Sequence, residues 1–375
     1  MPITRLPHRT DPCDIRTVSA LDPLRADSFY PRLPAINATA DVPALVDALR
    51  RLLPDLDTVG SYSLPERLAV MRDLGLLLGS LKRHGTQPVE AVPEAEPILV
   101  ELGRSTGMVP RDTVHHYTEW NPTNFRRRMY TGDKMEGYLM DGARLSLPHV
   151  ADAVDLCSLL YDADPADQET AQLLDQVDRS VSIFDELITM VTEKVTPEFF
   201  AQQVRPYYED ITVDGRSYFG PAAAHVPLFL VDMVIWASDR GDPVYDAFID
   251  EVAPHTLPQW RALLAGWSAG PSLVTKVEAA LTEAGAGDAA AGNPPPQLLD
   301  TARSLASVLR TLTVFRGKHL AIARKAYRDE VRLYELGSGN GSITLLHQIL
   351  ALTKENVTLV RGRAASAPAR EAVRG

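Results

Sequence analysis

The spacing of the apolar residues is the strongest constraint on what this chain can fold into. They recur three or four positions apart, the repeat of a helix with one buried face. Val42 to Leu53, Pro65 to Arg83, Asp152 to Ala163, Gln172 to Val195 and Leu228 to Ser238 all follow it. Alternating, strand-like runs are scarce. The best, Asp210 to Gly220, predicts a short hairpin turning at Asp214-Gly215. The regular strand–helix succession that a parallel sheet needs is missing. An all-α fold follows. Ala284 to Pro296 reads as a surface connection before one more long helix, and residues 364–375 as a disordered tail.

Charge and cysteine content exclude several functions. A net charge of −11 argues against a nucleic-acid or acidic-membrane partner, which needs concentrated Lys and Arg. The one basic cluster, Arg126-Arg127-Arg128, reads as a solvated loop or helix end. No apolar run reaches the ~18 residues that span a bilayer, and the first residues lack an apolar signal core, so a cytoplasmic location is expected. Two cysteines, Cys13 and Cys157, leave no room for a disulfide framework or a thiolate metal cluster. His115 and His116 diverge by ~100° on a helix, which disfavours a zinc site with Glu119.

The segment LYELGSGNGS, Leu333 to Ser342, has the glycines of a nucleotide-binding loop. Such a loop must follow a buried strand and open a βαβ unit. Here a charged helical segment precedes it and 33 residues follow Ser342, so no sheet can be built around it. A helix-to-helix turn and a pocket wall are the readings left.

The helix upstream, Leu298 to Tyr327, favours the pocket. Its inward stripe runs Leu298, Ala302, Leu305, Leu309 and Leu312, then Arg316 and His319, then Ala323 and Ala326. A core helix would keep that stripe apolar, and a buried Arg is costly without an anion. Gly317 shaves the helix between the two polar residues. Imidazole, cation and cleared backbone together suit a haem, with His319 on iron, Arg316 on a propionate and Gly317 making room. A hydrogen-bonded core histidine in a haem-free binding protein is the competing reading of His319.

FRGKHLAIARKAY followed by ELGSGNGS resembles the haem-binding end of the indoleamine/tryptophan dioxygenase superfamily. The closest resemblance is to its branch that rearranges 7-chlorotryptophan in pyrrolnitrin biosynthesis. Met71 to Gly85, His115 to Thr123, Val204 to Pro221 and Val226 to Ser238 extend the likeness, in the same order, over Asp41 to Leu350. The resemblance implies haem b on His319, with Arg316 at a propionate. Tyr327 and Ser338 fall where that branch has a Tyr and a Ser beside the substrate's amino-acid group. Gly339, Asn340 and Gly341 then become pocket wall. His116 or Trp120 is expected at the distal pocket, and Arg205 at a propionate or the substrate carboxylate, with structural roles as alternatives. Tyr218 and Phe219 are candidates for contact with an indole ring, core packing being the alternative.

The expected layout is a smaller helical region at 1–109 and a haem and substrate domain at 110–363. The expected function is a haem-dependent oxidoreductase that uses dioxygen or peroxide on tryptophan or a substituted tryptophan and forms an aminophenylpyrrole-type product. Ring cleavage or hydroxylation of an aromatic amino acid is the alternative outcome.

Overall fold

A computed structural model describes residues 15–222, 225–285, 294–328 and 342–365. The chain opens with α1 (Ile15–Ala20), α2 (Leu33–Ala38), α3 (Val42–Leu52), α4 (Leu56–Ser61), α5 (Leu64–Arg83) and α6 (Pro88–Ala91). After α7 (Ala95–Thr106) come two helices of 27 residues each, α8 (Lys134–Leu160) and α9 (Gln168–Lys194). The sheet among the described residues is one hairpin, β1 (Ile211–Val213) against β2 (Arg216–Tyr218). Shorter helices follow: α10 (Phe229–Asp232), α11 (Ser238–Arg240), α12 (Pro243–Val252), α13 (Pro258–Trp267) and α14 (Leu273–Glu283). The 31-residue α15 (Pro296–Ala326) and α16 (Ile343–Ala365) come last. The fold is all-α, as the periodicity requires.

The hairpin turns where Asp214-Gly215 places it. Both residues have positive φ, 49° and 69°, the geometry of a two-residue hairpin turn. α8 reaches further back than its periodicity suggests. Asp133 caps it by accepting from the Met135 amide at 2.7 Å, and the helix runs through Pro148. That proline and Gly137 and Gly142 interrupt the apolar pattern. Gly142 has a packing reason: a Cβ there would stand 2.8 Å from Val191 Cγ2, so the glycine lets α8 close on α9. The Leu228 to Ser238 helix is split by a wider π-type turn, Met233–Ala237, between α10 and α11. Such widenings are frequent at functional sites.

α9 packs against both α8 and α15, and α15 against α16, and this group surrounds the larger apolar core. A second core forms around α5, which Ser63 and Glu66 cap reciprocally and which is buried from Leu68 to Leu81. This second core draws on residues from 26 to 222, on both sides of the expected boundary at 109/110.

The triple arginine is not solvated. Arg128 is fully buried and bonds Asp73 (2.9 Å) and Asp27 (2.7 Å), while Arg127 holds Asp141 (2.7 Å) and Arg126 holds Asp27 (2.7 Å). Arg72 completes the cluster on Asp73 at 2.7 Å. The expectation failed because these carboxylates are supplied from distant positions in the chain. Removing one member of a buried ion pair strands the other, at a cost of about 3–5 kcal/mol. Arg128→Met is expected to lower unfolding free energy by about that much in urea titrations.

Candidate functional site

On α15 the stripe lies inward as its spacing predicts. Leu298, Ala302, Leu305, Leu309 and Leu312 are buried, Arg316 is 8% exposed, and Ala323 and Ala326 complete the run. His319 is half-buried, one turn beyond Arg316, and its ring lies near-parallel to Phe315 at 5.9 Å. Arg316, His319 and Tyr327 line one cavity of about 420 Å³, within the ~300–1,000 Å³ of cofactor and ligand pockets. Its walls are mostly apolar, with Phe184 and Ile188 from α9, Leu228 and Phe229 at the start of α10, Phe248 from α12 and Ile349 from α16.

The anion that a buried Arg316 demands is Asp232, the last residue of α10. Arg316 donates to Asp232 through Nη2 and to Thr353 of α16 through Nη1. Asp232 also accepts from Tyr245 Oη of α12 at 2.5 Å and from Trp236 Nε1 at 2.9 Å. Trp236 stacks on Tyr245 at 5.4 Å with the ring planes 11° apart, and the Arg316 guanidinium lies 5.9 Å from the indole centre. Burial disfavours the Arg316 cation, but Asp232 and Tyr245 hold it above its ordinary range. Burial lowers the His319 imidazole, and the Arg316 cation lowers it further. The ring is therefore neutral at pH 7. Among the described residues no hydrogen bond reaches it, so a ring nitrogen is available to a metal.

Each terminal nitrogen of Arg316 makes one hydrogen bond within the protein, to Thr353 and to Asp232. The sequence reading missed Asp232 and Tyr245, although Asp232 is the one charged residue within LFLVDMVIWA. Gly317 is open: a Cβ there would meet nothing within 4 Å.

His116, Trp120 and Arg205 lie elsewhere. His116 is fully buried, takes the Thr113 amide on Nδ1 at 3.1 Å, and meets Trp120 edge-on at 4.7 Å. Trp120 packs with Val18, Leu68, Ala69 and Met108 in a small separate cluster. Neither lines the cavity. His115 pairs with Glu119 at 2.9 Å, and among the described residues no three metal-ligating side chains converge. Arg205, in the turn Arg205–Tyr208, is buried beside Tyr208 and is likewise absent from the cavity wall. Trp236, expected to be packing, also donates to Asp232. Ser338, Gly339, Asn340 and Gly341 lie outside the described residues. Cys157 is buried, and burial pushes its thiol well above the ordinary range.

Phe219, a residue considered for the indole ring, stacks instead on His255 at 4.9 Å, and His225 lies 5.6 Å from His255. Burial drives both imidazoles down, to about 3 for His225 and about 4 for His255. Arg111 opposes protonation of both, His255 and Arg205 add to this at His225, and backbone groups at Gly220 and Glu251 offset part of it. The unfolded chain takes up these protons near pH 6.5 and the native state does not, so stability falls as pH drops below that point. His255→Phe is expected to lose about 2 kcal/mol less than the parent between pH 6.5 and 4.5, measured by urea denaturation at each pH.

The all-helical architecture is that of the haem-dependent indoleamine/tryptophan dioxygenase-like fold. Nearly the whole chain agrees with one member family. The model of that family, monodechloroaminopyrrolnitrin synthase PrnB, matches residues 15–366, and the chain belongs to it. The protein is accordingly an enzyme, of a family that carries out an oxidative rearrangement. No helix among the described residues is long and apolar enough to cross a membrane.

Proposed function

We propose that the protein binds haem b through His319 and rearranges tryptophan or a substituted tryptophan such as 7-chlorotryptophan to an aminophenylpyrrole-type product. The setting is cytoplasmic secondary metabolism. The observation that carries this reading is the His319 ring, neutral and without a hydrogen-bond partner among the described residues, in an apolar cavity next to a buried cation. The donor fits the cofactor. A neutral imidazole is a common axial ligand, and apolar walls suit a flat macrocycle. When bound, the haem supplies activation of dioxygen or peroxide beside the indole ring.

The protein's own side chains do the rest. Burial holds the His319 imidazole unprotonated and able to ligate, and the positive charge of Arg316, fixed by Asp232 and Thr353 one turn away, adds to this. Phe315 stacks on the ring and restrains its rotation. The aliphatic and aromatic walls exclude water and favour an indole over a polar side chain. Tyr327, on the cavity wall, holds the amino-acid end of the substrate together with Ser338 and the loop amides of Gly339, Asn340 and Gly341.

The purified holoenzyme is expected to show a Soret band, and His319→Ala to lose it with most of its bound haem. Full retention with an unchanged spectrum rules out the ligand assignment. Tyr327→Phe and Ser338→Ala are each expected to weaken aromatic amino-acid binding about 5- to 10-fold at full haem content, read from the spectral shift during titration. Mass spectrometry of the products separates rearrangement from ring cleavage and hydroxylation.

A further inference from the structure

Away from the haem cavity, one group of buried polar side chains has hydrogen-bonding capacity that the protein does not use. Arg111, Asp112 and Tyr130 are each wholly buried. Arg111 Nη1 donates to the carbonyls of Glu209 and Tyr218, both at 2.6 Å. Its Nε and Nη2 make no hydrogen bond, and neither do the Tyr130 hydroxyl or the two Asp112 carboxylate oxygens. The nearest Arg111–Asp112 approach is 3.7 Å, an ion pair longer than a hydrogen bond.

Two glycines of α5 show where these groups meet. A Cβ at Gly75 would stand 2.7 Å from Asp112 Oδ1, and one at Gly79 would stand 2.5 Å from Tyr130 Oη. Positions four apart lie on one face of a helix, about 5–6 Å from each other. The Asp112 carboxylate and the Tyr130 hydroxyl therefore pack on the same face of α5 at successive turns, and Tyr130 feels the charges of both Asp112 and Arg111. The glycines are needed here because a side chain at either position would collide with Asp112 or Tyr130.

We propose that this strip is an internal water-binding site, in which water bridges the Asp112 carboxylate, the Tyr130 hydroxyl and the Arg111 guanidinium. A buried water typically makes about three hydrogen bonds to groups that would otherwise go unpaired, and this set offers both donors and acceptors. Leaving a charged carboxylate and two guanidinium donors unbonded at full burial is far more costly than holding a water. Burial also pushes the Asp112 carboxyl up to about 6, with Arg111 opposing the shift. A bridging water stabilises the ionised form without bringing the two charged groups into contact. The site acts on the packing of α5 against the residues after α7 and is independent of the haem assignment.

The test is a crystal structure of the full-length enzyme at a resolution that shows ordered water, with a second measurement that does not depend on density. Expected is a water-sized peak within hydrogen-bond distance of Asp112, Tyr130 and Arg111. Tyr130→Phe keeps the ring stack on Tyr207 (4.3 Å) and deletes only the hydroxyl, so it is expected to shift the unfolding equilibrium about 5-fold toward the unfolded state. A direct Asp112–Arg111 or Asp112–Tyr130 hydrogen bond with no density between would overturn the proposal, and so would a peak with metal-length contacts. A Tyr130→Phe protein as stable as the parent would also overturn it, because a hydroxyl that bonds nothing costs nothing to remove.

Discussion

A single carboxylate organises the cavity wall beside His319. Asp232 takes hydrogen bonds from Arg316 of α15, Tyr245 of α12 and Trp236 in the π-type turn, and through Arg316 it reaches Thr353 of α16. Each of these bonds involves an ionised partner or shares one, and in a low-dielectric interior such bonds are both stronger and harder to lose. The elements they join are those that enclose the cavity, so the shape of the cavity and the charge beside His319 have the same origin. Without Asp232 the guanidinium would be an unpaired buried cation, and burial at that position would not be tolerated.

The helical architecture was readable because a helix advertises its buried face through local spacing, and the hairpin because Asp-Gly suits positive φ at both turn residues. α8 was harder to see. Pro148 and two glycines break its pattern, and the reason for one of them, the close approach to Val191, exists only once α9 is in place. The arginine cluster shows the same limit: its partners Asp22, Asp27, Asp73 and Asp141 come from separate stretches of the chain, and ion pairing of that kind leaves no periodic trace.

The candidate site divides along the same line. Arg316, His319 and Tyr327 come from one helix and its end, so their grouping was legible. Asp232 sits 84 residues before Arg316, and nothing local announces that the two will meet. His116, Trp120 and Arg205 belong to segments whose order along the chain supports the family resemblance. Order does not specify which side of a buried segment faces the cavity, and packing turns these three toward other neighbours.

The interior arginines also act on the start of the chain. Arg72 donates to the carbonyls of Val18 and Leu21, and Arg126 to those of Ala20 and Leu21. Every acceptor in that clasp is main chain. The guanidinium groups grip the path of the polypeptide and are indifferent to the side chains along it. The exposed Ala20 can therefore drift in identity at little cost so long as the backbone keeps its course, while Val18, buried against Trp120, and the arginines that hold the segment cannot.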